Sequence, residues 1–406
     1  MFKRRILGCA VLFGMAGALA ALAGCDLQGE GDPHVIKVVS SMPRTGSAKA
    51  QTDTIVNGIR MAFEESGWKA GDFTIQYQDW DDATAAAGQW TAEAEAANAD
   101  RAARDPDVMV YLGTYNSGSA KISMPILNRA GVLMISPANT WPGLTKPGKG
   151  EPGEPEVYQP IGKINYTRVV PADDLQGPLG ADWAKEMGVQ TVFILDDNEV
   201  YGRGIATLFE DRCREIGITV LGHDSIDAKA QEFKSLMTRI KGMEPDLLYF
   251  GGTTQSKGGQ LAKDMVAAGL TCKLMVPDGC MEDAFIDSAG AENLNDRCFV
   301  TFGGLPPEQL TGAGKEFVER YSKKYGSMPE AYAIYGYESA RVALEAIRRA
   351  GVKDRGEIVE ACLAIRDFDG TLGTWSFDAH GDTTLTTMSG NVVHGGKFQF
   401  VKLLGE

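Results

Sequence analysis

Two stretches, Val108-Met-Val-Tyr-Leu-Gly-Thr-Tyr-Asn-Ser-Gly-Ser-Ala120 and Val132-Leu-Met-Ile-Ser-Pro-Ala-Asn-Thr140, decide the fold. Each starts as a short apolar run and stops abruptly in Gly, Ser, Thr and Asn. The segment between them, Lys121 to Gly131, is long enough for about three helical turns. The order is therefore strand, polar loop, helix, strand, polar loop. Two parallel strands then end side by side, and their hydroxyls and backbone N–H groups gather at one carboxyl edge. Open α/β sheets take small ligands at that edge, and a helix N-terminus there favours an anion such as a carboxylate.

The same alternation extends in both directions. Upstream, Val35–Ser40 and Phe73–Tyr77 read as strands. Ile55, Val56, Ile59, Ala62 and Phe63 recur at helical spacing, and Ala83–Arg104 reads as an Ala-rich helix. Downstream, strands are predicted at Thr191–Leu195, Thr219–Ser225, Leu247–Phe250, Lys273–Val276 and Cys298–Phe302, with helices between them. Helices are predicted again at Gly314–Tyr325, Ala331–Ala350 and Gly356–Ile365, and a hairpin at Gly390–Val401. Strands alternating with helices imply doubly wound parallel sheets. The length favours two lobes. Thr145 to Gln159 (TKPGKGEPGEPEVYQ) is rich in Pro, Gly and charge and is predicted to be an exposed excursion.

The first residues bear on destination. Lys3, Arg4 and Arg5 precede an apolar stretch, Ile6 to Ala23, which ends in Leu22-Ala23-Gly24-Cys25. That is the pattern of a secretory signal. Its ending resembles a bacterial lipobox, which implies a signal peptide over 1–24, lipidation of Cys25 and a tether over 25–34. The formal charge of −14 becomes −17 once Lys3, Arg4 and Arg5 are removed, so nucleic acid and anionic lipid are poor partners. Cys213, Cys272, Cys280, Cys298 and Cys362 form no CxxC pair, and no metal site is expected. Cys272 and Cys298 each open a predicted strand and are candidates for a disulfide.

Taken in order, Thr45-Gly46, Asn57-Gly58, Leu112-Gly-Thr-Tyr-Asn-Ser117, Ile135-Ser-Pro-Ala-Asn-Thr140, Asp196-Asp-Asn-Glu-Val-Tyr-Gly-Arg-Gly204, Phe250-Gly-Gly-Thr253 and Pro277-Asp-Gly279 resemble the type I periplasmic solute-binding proteins. The likeness is to the Leu/Ile/Val-binding branch that feeds branched-chain amino-acid ABC transporters, and it runs from Val35 to Lys402. It implies two Rossmann-like lobes joined by three crossings, near Val170–Pro171, Phe302–Gly303 and Trp375–Phe377. Residues 35–170 and 303–375 would form the N-terminal lobe, and 171–302 and 376–406 the C-terminal lobe. A ligand would sit in the cleft between them.

The resemblance also assigns residues. Ser117 would bind an α-carboxylate through its hydroxyl and N–H. Thr140, after Asn139, would serve carboxylate and ammonium, and the Ala138 carbonyl would accept from the ammonium. Asp278, on the other lobe, would be the anion facing that ammonium, and Tyr201 would wall the side-chain pocket. A zwitterion removed from water needs both charges paired. Two positions depart from the pattern. Gln51 and Thr253 fall where the family places aromatic walls, and both favour a hydrogen-bonding substrate over an aliphatic one.

The sequence carries no GxSxG elbow, HExxH helix or Walker-type loop. Its 4 histidines, His34, His223, His380 and His394, are scattered. The expectation is thus a binding protein without cofactor or chemistry. It would be monomeric, tethered at the outer face of the cell membrane through Cys25, and would deliver a small amino acid to an ABC permease and its ATPase. The alternative is a sensing receptor subunit of the same fold for amides, urea or small organic acids.

Overall fold

The computed structural model describes residues 32–406, so the signal peptide, Cys25 and most of the tether expected from the sequence lie outside the described residues. Two sheets organise the chain. The first runs, edge to edge, Lys69–Ala70, Phe73–Asp81, Val35–Met42, Val108–Gly113, Leu133–Ser136, Tyr166–Arg168. The second runs Thr219–Ser225, Thr191–Asp196, Leu247–Gly251, Lys273–Val276, Cys298–Gly303, Met388–His394, Lys397–Leu403. The strands are parallel except for the short Lys69–Ala70 edge and the closing Met388–Leu403 hairpin. Helices cover both sheets, as expected of doubly wound α/β lobes. In each sheet the first strand of its lobe is interior, with the second to one side and the third to the other. That reversal of strand order opens a crevice at the carboxyl ends, where ligands bind in such sheets.

The strands in both sheet centres are apolar throughout. Val108–Gly113, Leu133–Ser136 and Leu247–Gly251 are buried along their whole length, as strands covered on both faces must be. Helix Lys49–Glu65 turns its buried Ile55, Ile59, Ala62 and Phe63 inward and packs on helix Ala333–Ala350. The two approach closely: a Cβ on Gly58 would lie 2.2 Å from the Ala333 carbonyl, and one on Gly336 2.3 Å from that of Ile55. This contact returns the chain after Gly303 to the first lobe.

The structure differs from the sequence reading in four places. Ala83–Arg104 is not one helix. Only Ala92–Arg104 is helical, capped by the Thr91 hydroxyl, and Ala83–Thr84 pairs with Gln89–Trp90 as a small hairpin. Gly88, at φ +66°, makes that turn. The last passage between sheets comes after Trp375–Phe377. Asp382 accepts from Arg168 Nε at 2.7 Å and the Thr383 N–H donates to the Arg168 carbonyl at 3.1 Å, which holds residues 376–383 on the first lobe. Cys272 and Cys298 are free thiols. Register sets Cys298 beside Leu274, two residues beyond Cys272, a separation of roughly 8 Å that no disulfide spans. Finally, the Thr145–Gln159 excursion is exposed over most of its length, as expected, but is anchored at two buried residues. Glu154 and Tyr158 are buried, and Glu154 accepts from Trp141 Nε1 at 2.9 Å.

On the outer strand Thr219–Ser225, His223 bridges two acids, Glu210 at 2.7 Å and Asp196 at 2.9 Å. Burial lowers the imidazole's proton affinity, but hydrogen bonds and charge from these acids outweigh it and raise the pKa. A raised folded-state pKa stabilises fully below the unfolded value, near 6.5, and that stability is lost as pH rises through the folded value. Thermal unfolding of His223→Asn should therefore lose part of the wild-type fall in stability above pH 6.5. Parallel pH profiles for the two proteins would remove this pair from the account.

Candidate functional site

The site forms where the two carboxyl edges face one another. From the first lobe, the loop after Val108–Gly113 brings Tyr115, Asn116 and Ser117, and Ser117 opens the helix Ser117–Ala130. The first N–H groups of that helix have no partner within it and carry the positive end of its dipole. From the second lobe come Tyr201, on the first turn of helix Val200–Glu215, Thr253, and Asp278-Gly279 after strand Lys273–Val276. Together with Ala138 and Tyr332 they line a narrow cavity between the lobes.

Asp278 is the centre of this arrangement. It is buried and accepts from Tyr201 Oη at 2.6 Å and Gln176 Nε2 at 2.8 Å through one oxygen, and from Tyr332 Oη through the other. Burial raises its pKa, and those three hydrogen bonds pull it back. A second carboxylate, Asp173, lies nearby at the start of helix Asp173–Glu186. It is fully buried, neither oxygen has a hydrogen-bond partner, and its N–H donates to the Thr140 carbonyl at 2.9 Å. Burial first, then the charge of Asp278, push it well above the usual carboxylate range. The Thr140 hydroxyl is buried and equally without a partner. No lysine or arginine lines the pocket and the charge of Arg168 offsets that of Asp173 only in part, so the two buried acids form a site that calls for a positive group. The helix N-terminus with Ser117 opposite them calls for a negative one.

The lobes meet around this cavity. Tyr332 belongs to the first lobe and Asp278 to the second, so their hydrogen bond crosses the cleft. Arg203 pairs with Glu151 at 2.8 Å and Lys146 with Asp174 at 2.7 Å, both across it. Trp141 packs on the second lobe, and a Cβ on Gly204 would lie 2.4 Å from its ring.

A sequence profile of the periplasmic binding proteins matches residues 35–394. The chain belongs to that family. This periplasmic binding protein is 28% identical over 356 residues to a Leu/Ile/Val-binding protein homolog from Brucella abortus, covering 86% of this chain and 88% of the relative. To an amino acid binding protein from Pseudomonas aeruginosa it is 26% identical over 285 residues, 70% of this chain and 71% of the relative. It superposes on a leucine binding protein from Thermotoga maritima with a TM-score of 0.79 at 26% identity, covering 91% of this chain and 98% of that one. The type I fold read from the motifs is therefore the fold of this molecule, and proteins of the family work outside the cytoplasm.

Among the residues singled out from the sequence, Ser117, Ala138, Tyr201, Thr253 and Asp278 line the cavity of this binding protein. Thr140 lies just behind it. Asn139 is turned away, its amide donating to the Tyr115 carbonyl at 3.1 Å and its carbonyl oxygen accepting from Tyr166 Oη at 3.2 Å. Gln51 is buried on helix Lys49–Glu65, with both amide atoms unpartnered, and is not among the lining residues. The sequence reading missed Tyr332, Gln176 and Asp173. Tyr332 supplies an aromatic wall from a distant part of the chain, and its only sequence signal was a place at the head of a predicted helix. Asp173 and Gln176, at the first and fourth positions of a helix, share one face by spacing alone.

Proposed function

We propose that this protein is the lipid-anchored substrate-binding subunit of an ABC importer, taking a small α-amino acid between its lobes. One observation carries the reading: the buried carboxylates of Asp278 and Asp173 on one side of the pocket face a helix N-terminus with the Ser117 hydroxyl on the other. An α-ammonium meets Asp278, with Asp173 and Thr140 behind it, and an α-carboxylate meets Ser117 and the N–H groups of its helix. Anchoring through Cys25, closure of the lobes on the ligand, and docking of the closed form on a permease–ATPase complex complete the proposal. The names of the amino-acid-binding relatives point the same way.

Thermal unfolding tests it. Protein freed of ligand by unfolding and refolding is titrated with amino acids, short amides, urea and small organic acids. A ligand at 100 times its Kd stabilises by about 2.7 kcal/mol, so any binder raises Tm. A rise with one or more α-amino acids is expected. Rises confined to compounds lacking an ammonium would transfer the protein to the receptor or acid-binding reading.

A second measurement addresses the anion half. Ser117→Ala should cost about 1–3 kcal/mol of binding, the penalty for an acceptor left unpaired, with the ligand-free Tm unchanged. A fall in Tm with binding intact would leave Ser117 a structural residue only.

A further inference from the structure

The cavity does not end at Tyr201 and Thr253. A second, narrow pocket lies beyond them and shares Asn116, Ser117, Tyr201 and Thr253 with the first. Its walls differ in character. Gln89, Trp90 and Gly118 come from the first lobe, and Asp197, Glu199 and Gln255 from the second. Trp90 owes its position to the small hairpin, and its ring lies where a Cβ on Gly118 would come within 2.7 Å.

The polar groups of this chamber are largely unspent. Both atoms of the Gln255 amide are buried without a hydrogen-bond partner. Glu199 makes no side-chain hydrogen bond or ion pair with the described residues, and Gly118 of the opposite lobe lies beside its carboxylate. Asp197 is fully buried and accepts from Ser256 Oγ at 2.5 Å, which in turn lies 2.6 Å from the Thr253 hydroxyl. A chain of polar groups thus leads from the first cavity into the second. No lysine or arginine lines it. Arg203, the cation nearest Glu199, is turned to Glu151, and Lys121 is turned to Glu154 and Glu151. Burial raises the pKa of both acids, as it does wherever a carboxylate lacks a cation, and the charge of Arg203 only partly offsets this at Glu199.

We infer that the second chamber is the side-chain subsite, and that it selects an α-amino acid whose side chain ends in a cationic hydrogen-bond donor, a guanidinium or a primary ammonium. This rests on the α-amino clamp proposed above. Glu199 supplies the counter-charge and Gln255 an acceptor. Trp90, in the wall of the same pocket, adds the attraction of an aromatic ring for a cation. An aliphatic side chain in the same space leaves the Gln255 amide and the Glu199 charge without partners.

Calorimetric titration of the refolded, ligand-free protein distinguishes the outcomes, using L-arginine, L-lysine, L-citrulline, L-norleucine and L-leucine as probes. The expected result is binding of arginine or lysine at least about tenfold tighter than norleucine and citrulline. In Glu199→Gln that preference should fall about tenfold, through weaker binding of arginine and lysine. Citrulline bound as tightly as arginine would overturn the cationic assignment. Leucine or norleucine bound more tightly would overturn the polar subsite while leaving the α-amino clamp intact. If none of the amino acids binds, the clamp itself fails, and the subsite with it.

Discussion

Asp278→Asn is expected to weaken binding of an α-amino ligand about a hundredfold or more. Removing one member of a buried, hydrogen-bonded charge pair costs about 3–5 kcal/mol, because the other charge is left unpaired. Here the stranded charge would be the ligand's ammonium. The substitution keeps the shape of the side chain and one acceptor for Tyr201, Gln176 and Tyr332, the donors that surround Asp278. Its effect on the ligand-free protein should have the opposite sign. The charge of Asp278 raises the cost of ionising the buried Asp173, and removing it relieves that cost. The ligand-free variant should therefore unfold at the wild-type temperature or above it. Calorimetry with the best amino acid from the panel, beside a melting curve without ligand, reads both effects. Unchanged affinity would remove Asp278 from the binding site; a large fall in the ligand-free Tm would make it a structural residue instead.

The second large effect is expected from a residue that touches no ligand. Gly204 lies on the second lobe under the Trp141 ring of the first, where a Cβ would sit 2.4 Å from Cε3 and Cζ3. Trp141 cannot swing away freely, since its Nε1 donates to the buried Glu154. In a fixed core, overpacking costs about 1–3 kcal/mol. If the lobes part as the proposed function requires, the cost at this surface falls on the closed form alone. Gly204→Val should therefore lower affinity about tenfold to a hundredfold and leave ligand-free stability unchanged. With saturating ligand, small-angle scattering should show a more open particle than wild type. Adding Trp141→Ala in the same chain should recover much of the affinity. Wild-type affinity in Gly204→Val would mean that this contact does not limit closure.

Much of the architecture was legible because the central strands are buried on both faces. Continuous apolar runs such as Val108–Leu112 and Leu247–Phe250 have no other place in a water-soluble lobe, and the Gly, Ser and Thr that end them mark the carboxyl edge. Short edge pieces were not legible. Gln89–Trp90 continues an alanine-rich stretch of helical composition, and a two-residue pairing carries no periodicity to set against it. That error hid Trp90, a wall of the second chamber. Gln51 was displaced for another reason. Its place rested on counting back from Asn57-Gly58 through a loop of unrelated residues. On the helix it points into the protein rather than toward the cavity.

The sequence by itself determined the two doubly wound lobes, the carboxyl edge at which the proposed ligand would sit, and the chemical types gathered there: Ser117, Ala138, Tyr201, Thr253 and Asp278. Each belongs to a loop directly after a strand or to the first turn of the helix behind it, and local pattern fixes such positions. Only the tertiary structure decided what completes the site. Tyr332 reaches Asp278 across 54 residues of chain, Gln176 reaches it across 102, and Glu199 meets Gly118 across the cleft. These contacts depend on how one lobe is set against the other. The relative placement of two folded bodies is a sum of many weak surface contacts, and no single stretch of sequence records it.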